Sequence, residues 1–289
     1  MLNILILGKG YTGSYLYNKL TDSGHNVTIV AKEALNYTDE YVIDTHLFEY
    51  KPDYVINCSG FTGRPNVDQC EDEKEECWRL NVTAPSMINR LCKAHHIPYI
   101  HISSGCIFTG YDKAWTEKDK PNYGVFNNHS SFYSKSKHAY ELASSDYGLT
   151  IRIRMPFDGE FTDRSVLTKL LKYDKLINEV NSKTYIVDLV NFIDRYIAEE
   201  RNENDIVNLV NPEPLDTDGV ITLLKKHDKV NPNWRFVKFD ELGTKAGRSN
   251  CTMDVSKLRS KYGFEPMTEI EALVDAMETQ AMIKALNEE

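Results

Sequence analysis

The chain has 289 residues, enough to bury a sizeable core as one large domain or two interleaved ones. Its 43 acidic side chains outnumber the 34 basic ones for a formal charge of -9, and no basic cluster stands out, which argues against a nucleic-acid partner. No apolar stretch approaches the roughly 18 residues that cross a bilayer, so no membrane partner is expected either.

The apolar run at residues 1–7 leads straight into Gly8-Lys9-Gly10-Tyr11-Thr12-Gly13, after which Leu16 and Leu20 fall at helical spacing. Strand, turn and helix in that order are the context a dinucleotide-binding glycine motif requires. Gly8 permits the tight turn, Gly10 lets the backbone approach a pyrophosphate, and Gly13 lets helix pack closely on strand, with Tyr11 and Thr12 inside the same turn. The apolar start is only a strand long and has no charged region before it, so a cytoplasmic protein is expected. The next strand, residues 27–31, ends without the carboxylate that would select NAD. Lys32 stands there instead, and a cation suits a 2′-phosphate. NADPH is the expected cofactor, with NADH the alternative because Glu33 is adjacent; a solvated loop cation is the competing reading of Lys32.

Residues 54–58 and 99–102 read as further strands that end in small or polar residues. In an open parallel sheet, ligands bind beyond the carboxyl ends of the strands, which places Cys58, Ser59, Gly60, Ser103, Ser104 and Gly105 beside the cofactor. The acidic run at residues 68–76 reads as a solvated helix start. The six cysteines, at 58, 70, 77, 92, 106 and 251, contain no CxxC pair, so reduced thiols and no metal site are expected. Residues 151–156 form another strand, halted by Pro156 at the same edge. Beyond it, residues 157–176 leave the sheet, 186–200 return as a helix, and Asn211-Pro212-Glu213-Pro214 begins a second excursion. The expected fold is α/β, a Rossmann-type doubly wound parallel sheet with a smaller C-terminal substrate-binding lobe. Residues 1–156 make the NADP-binding domain with a return segment near 186–210, and 157–289 are mainly the lobe, interleaved with it.

Tyr133 and Lys137 stand four apart in Ser131-Phe132-Tyr133-Ser134-Lys135-Ser136-Lys137 and would share one helix face. The ammonium would favour the ionised phenol and bring its proton affinity toward neutrality. A phenol so tuned can protonate a carbonyl oxygen while a reduced nicotinamide delivers hydride.

Several stretches carry a family resemblance: Gly60-Phe61-Thr62-Gly63-Arg64-Pro65-Asn66-Val67-Asp68, Gly105-Cys106-Ile107-Phe108, the 131–137 run, Arg152-Ile153-Arg154-Met155-Pro156 and Arg248-Ser249-Asn250. The chain resembles the extended short-chain dehydrogenase/reductases. Within them it is similar to the bifunctional nucleotide-rhamnose synthases, 3,5-epimerase/4-reductases related to dTDP-4-dehydrorhamnose reductase. The resemblance implies a nucleotide-linked 4-keto-6-deoxy-glucose as substrate, inverted at C3 and C5 before its C4 ketone is reduced. UDP is the preferred nucleotide and dTDP the alternative, since one methyl separates their bases. An upstream 4,6-dehydratase would supply the substrate, and a homodimer is common in the superfamily.

In residue terms, the resemblance implies that Ser104 hydrogen-bonds the C4 oxygen, Tyr133 protonates it, and Lys137 holds the nicotinamide ribose. Cys106 takes the role of one epimerising acid/base; a cysteine beside a strand is otherwise more often a small core residue. Lys169 resembles the second acid/base, with an exposed helix lysine as the other reading and Lys172 and Lys175 as competitors. Asn81 braces the catalytic lysine region at the cofactor, or is an ordinary polar residue at a helix start. Arg64 and Asn66 would meet the sugar or its diphosphate, and Arg248, with Asn250 nearby, would clamp the nucleotide phosphates. Two other functions remain open: a 4-keto-sugar reductase without epimerase activity, which needs neither Cys106 nor Lys169, and a non-catalytic NADP-binding regulatory subunit.

Overall fold

The computed structural model describes residues 1–144, 146–227 and 230–288. Its centre is a six-stranded sheet of β1 (Asn3–Leu7), β2 (Asn26–Val30), β3 (Tyr54–Asn57), β4 (Tyr99–Ser104), β5 (Leu149–Ile153) and β6 (Asp205–Asn208), in the order β6-β5-β4-β3-β1-β2. Every pairing is parallel: Ile4 lies opposite both Val27 and Tyr54, Val55 opposite Tyr99, and Thr150 opposite both His101 and Ile206. The main helices are α1 (Tyr11–Asp22), α2 (Glu40–Tyr50), α3 (Ala84–Ala94), α4 (Phe132–Ser144), α5 (Val166–Lys172), α6 (Ile186–Ala198), α7 (Thr217–His227) and α8 (Glu269–Glu288).

Side chains of β1 alternate between two apolar layers, as the period of a strand dictates. Ile4 and Ile6 face a core with Leu16 and Leu20 of α1 and Leu189 and Ile193 of α6. Leu5 and Leu7 face the opposite core, with Ile43 and Leu47 of α2 and Ile88, Leu91 and Cys92 of α3. Helices on both faces explain why β3, β4 and β5 are buried along their whole length. The fold is therefore the doubly wound parallel sheet that the sequence pattern implies.

Beyond β5 the chain builds a second apolar centre from Phe157, Leu167 and Leu170, Val220, Ile221 and Leu224 of α7, and Leu273 and Met277 of α8. Two-residue parallel pairings join Pro156–Phe157 to Thr184–Tyr185. Not all of the later chain belongs to this centre. Cys251, Met253, Leu258 and Tyr262 pack into the first core, and Cys251–Met253 pairs with Gly110–Trp115. No helix among the described residues is long and apolar enough to cross a membrane.

Two buried ion pairs fix these parts to one another. Arg152 on β5 donates from Nε and Nη2 to Glu141 of α4 at 3.0 and 2.7 Å, both side chains being at most 5% exposed. Lys183 meets Glu269 at 2.7 Å and also donates to the carbonyl oxygens of Asn181 and Leu215, tying α8 to the segment before α6. Removing one partner of such a pair leaves a buried charge without compensation, which costs far more than the pair itself contributes. Glu141→Ala is thus expected to lower stability by about 3–5 kcal/mol, read as a fall in the urea midpoint; a change below about 1 kcal/mol would mean that Arg152 finds water.

Candidate active site

Between β1 and β3 the strand order reverses, and a crevice opens at that point beyond the carboxyl ends of the strands. A cleft of about 750 Å³ lies there. The glycine turn forms one wall. Gly8 has φ +104, and a methyl group on it would stand 2.8 Å from the Ser59 backbone nitrogen; one on Gly13 would collide with the Gly8 carbonyl oxygen. Gly10 faces open space, precedes α1 without a side-chain cap, and is followed by a first turn free of acidic residues. Unmasked N–H groups and an uncancelled helix dipole suit a pyrophosphate, so these residues fit a dinucleotide.

Tyr11, Thr12, Cys58, Ser59 and Gly60 line the cleft with Ser104, Cys106, Tyr133, Lys137, Pro156, Arg64 and Lys169. Ser104 ends β4, and its hydroxyl oxygen accepts the Cys106 backbone N–H at 3.2 Å. Tyr133 and Lys137 lie in the first turns of α4, with the Lys137 ammonium 5.9 Å from the phenol ring centre. Asn81 sits in a π-helical turn, Arg79–Thr83, fully buried rather than at a helix start. Its Oδ1 accepts the Phe61 N–H at 2.7 Å and its Nδ2 donates to the Phe61 carbonyl oxygen at 2.9 Å and to Ser136 Oγ at 3.0 Å. It braces the Gly60 loop against α4 without lining the cleft. A methyl group on Gly60 would come within 3.1 Å of Asn81 Oδ1 and 3.4 Å of Lys137 Nζ.

The electrostatics reverse one expectation. Burial pushes the Tyr133 phenol well above its ordinary range, the charge of Cys106 adds to the rise, and a hydrogen bond with Ser104 opposes it. Lys137 gives way instead: burial lowers it from 10.5 to about 8, against the pull of Cys77 and Glu141. Loss of hydration outweighs the attraction of one ammonium in so enclosed a site. The phenol is accordingly a proton donor near neutral pH, not a near-neutral phenolate.

Other expected residues lie apart from the cleft lining. Lys32 meets Glu76 at 3.3 Å. Asn66 Oδ1 accepts the Asp68 N–H at 2.8 Å, closing its own turn, and Asn250 Oδ1 accepts from Asn181 Nδ2 at 3.0 Å. Arg248 meets Asp68 at 3.0 Å and the Ala246 carbonyl oxygen at 2.7 Å. Of the three candidate lysines only Lys169 lines the cleft; Lys172 meets Asp163 at 2.9 Å and Lys175 the Glu241 carbonyl oxygen at 2.8 Å. Burial, then the charge of Arg164, lowers Lys169 from its ordinary value.

The acidic run does open a short helix, Lys74–Trp78, with Asp72, Glu73 and Glu75 exposed, but several of its carboxylates also hold partners. Asp68 holds Arg248 and the Ala246 N–H, Asp72 holds Lys245, Glu71 accepts the Phe132 N–H that opens α4 at 2.6 Å, and Glu76 holds Lys32 and Arg79. Each partner is far away in sequence except Arg79. Cys70 Sγ donates to the Phe61 carbonyl oxygen at 3.8 Å and Cys77 Sγ to Ser136 Oγ at 3.6 Å, and both pack with Tyr133.

Arg154 was given no role by its sequence position. It is 1% exposed, and its guanidinium donates to the Ser249 hydroxyl and carbonyl oxygens at 2.7 and 3.0 Å and to Asn181 Oδ1 at 2.6 Å, with Nη1 3.9 Å from the Cys106 sulfur. It joins the Cys106 loop to two later segments. Its only local signal was a charge inside an apolar strand, which is rare unless a partner waits.

The family described as RmlD substrate binding domain matches residues 2–282. A trifunctional UDP-glucose 4,6-dehydratase/UDP-4-keto-6-deoxy-D-glucose 3,5-epimerase/UDP-4-keto-L-rhamnose-reductase of Arabidopsis thaliana is 33% identical over 276 residues, covering 90% of this chain. The chain spans 40% of that relative's length. A bifunctional dTDP-4-dehydrorhamnose 3,5-epimerase/dTDP-4-dehydrorhamnose reductase of the same plant is 31% identical over 274 residues, 90% of this chain and 87% of the relative. The crystal structure of the L780 UDP-rhamnose synthase of Acanthamoeba polyphaga mimivirus superposes with a TM-score of 0.86 at 26% identity, covering 96% of this chain and 99% of that one.

The buried Lys137 ammonium carries a stability prediction. The unfolded chain holds this proton up to about pH 10.5 and the folded chain only to about 8, so folding is penalised below that window and the penalty fades as pH rises through it. Lys137→Met is expected to be more stable than the wild type at pH 7 by on the order of 3 kcal/mol, with the gap in urea midpoints shrinking toward pH 10. A gap that stays constant with pH would contradict the assigned burial of charge.

Proposed function

This chain belongs to the RmlD substrate-binding family, and we propose that it inverts C3 and C5 of a nucleotide-linked 4-keto-6-deoxy-glucose and then reduces its C4 ketone with NADPH to a nucleotide-L-rhamnose. The observation that carries this reading is the company of the reductive set: Ser104, Tyr133 and Lys137 share one cleft with Cys106 and Lys169, two further proton carriers. Its relatives support the same chemistry, since reductases of this family use NADPH and the full-length bifunctional relative is named for both reactions. The UDP sugar is the preferred substrate and the dTDP sugar the second, each supplied by a 4,6-dehydratase.

The glycine turn and the Cys58–Ser59–Gly60 loop would hold NADPH, which would supply the hydride when bound. The protein's own part is proton management. Tyr133, kept protonated by burial, donates to the C4 oxygen, and Ser104 orients that oxygen. Lys137, lowered to about 8 by burial, still carries a proton near neutral pH and is assigned to return one to the phenol. Before reduction, the C4 ketone makes the C3 and C5 protons removable, because the electron pair left behind delocalises as an enolate. One carrier must take a proton from one face and another return it to the opposite face; Cys106 and Lys169 are assigned to these tasks.

Purified protein given UDP-4-keto-6-deoxy-glucose and NADPH in deuterated water is expected to consume NADPH and yield a rhamnose product labelled at C3 and C5, followed by NMR. Consumption without label would leave a simple 4-reductase, and no consumption with either sugar nucleotide would remove the enzymatic reading. Tyr133→Phe should slow NADPH oxidation by about 10²–10⁴-fold. Cys106→Ala should suppress labelling while sparing reduction of an already inverted 4-keto-L-rhamnose nucleotide; retention of both labels would refute the role given to Cys106.

A further inference from the structure

Arg164 lies on the loop that enters α5, and its Nη1 donates to the Gly63 carbonyl oxygen at 3.1 Å and to Thr62 Oγ1 at 3.4 Å. Those acceptors belong to the loop after β3, so one side chain joins the later lobe to the sheet at the cleft that both line. Each end is held in place. On the lobe side, Asp158 accepts the Thr162 N–H at 3.2 Å and its hydroxyl at 2.8 Å, and Ser165 is fully buried. On the sheet side, Gly63 has φ +70, and a methyl group there would strike the Asn66 carbonyl oxygen. Lys169 stands five residues beyond Arg164, within α5, facing the same cleft.

We propose that Arg164 is a positioning residue for epimerisation: it ties the segment carrying Lys169 to the 62–64 loop across the cleft and holds its cation beside the Lys169 ammonium. The inference rests on the reading of Lys169 as an epimerising acid/base. A guanidinium stays charged at any working pH, and Arg164 forms no ion pair among the described residues, so its charge is not cancelled by a carboxylate. Asp163 beside it is taken by Lys172. The other titratable groups lining the cleft are Lys9, Tyr11 and Tyr15 from the glycine turn and α1, Cys58 and Arg64 from the loop after β3, Cys106, Tyr133 and Lys137 beneath, and Glu160 on Lys169's own segment. Burial and Arg164 together lower Lys169, and a lysine must lose its proton before it can remove one from carbon.

The test measures deuterium exchange at C3 and C5 of UDP-4-keto-6-deoxy-glucose from pH 6 to 9, with NADP⁺ bound so that no reduction follows. Arg164→Met is expected to raise KM for the sugar nucleotide, slow exchange at pH 7 about tenfold, and move the midpoint of its rise with pH upward by about one unit. Arg164→Lys should return the midpoint and leave KM raised, because it restores the charge without the reach. The kcat for reducing an already inverted 4-keto-L-rhamnose nucleotide should be unchanged in both, and Arg164→Gln carries the same expectation as Arg164→Met if the latter does not fold. An unmoved midpoint in the neutral variants, with exchange and reduction lowered alike, would overturn the proposal in favour of a purely structural tether. Absence of exchange in the wild type would overturn it together with the epimerase reading, and that outcome is visible before any variant is made.

Discussion

Six strands that all run the same way must deliver all their carboxyl ends to one edge of the sheet, and the rest of this molecule follows from that constraint. The loops at residues 8–10, 58–68, 104–109 and 154–165 converge there although they are dispersed through more than half the chain. Because the order reverses between β1 and β3, the first two of these loops part around a crevice instead of packing flat. The close approach at Gly13 then brings the start of α1 against that crevice, where a side chain would push the helix off the Gly8 carbonyl, while one at Gly8 would strike the Ser59 backbone across it.

Having gathered the loops, the fold holds them with buried charge. Arg152 anchors α4 to β5, Arg154 anchors the Cys106 loop to residues 181 and 249, and Lys183 anchors α8. A cation in a low-dielectric interior demands particular partners in a particular place, so these side chains give the arrangement its specificity even where their net contribution to stability is small. The same low dielectric acts on the titratable groups of the cleft. It drives the Tyr133 phenol up and the Lys137 ammonium down, so that near neutral pH the phenol keeps its proton. Neither shift depends on an unusual partner; both follow from removing water.

Strands and helices of the first half were legible because their signals are local. Apolar runs of strand length, punctuated by glycines and small residues, specify β1, β3 and β4 within one or two residues of their ends. Tyr133 and Lys137 share a helix face because four residues make about one turn, which no tertiary contact has to decide. Charged residues were less transparent. The acidic run from Asp68 to Glu76 is exposed along much of its length, as its pattern implies, but nothing local shows that Arg248, Lys245, Phe132 and Lys32 come from distant parts of the chain to meet it. Asn66 and Asn250 read as substrate-binding residues, yet their amides close turns and link segments. A side chain's donors and acceptors are known from its identity, but their partners are not.

The sequence by itself determined the elements, the parallel doubly wound class, the glycine turn and the helical face that carries Tyr133 and Lys137, since periodicity and backbone freedom act over a few residues. Only the tertiary structure decided that Lys169 enters the cleft while Lys172 and Lys175 do not, that Arg154 reaches Cys106 and Arg164 spans to Gly63, and that Tyr133 holds its proton more tightly than a free phenol. Those outcomes depend on which groups lose water and which distant groups replace it, and both are properties of the packed chain.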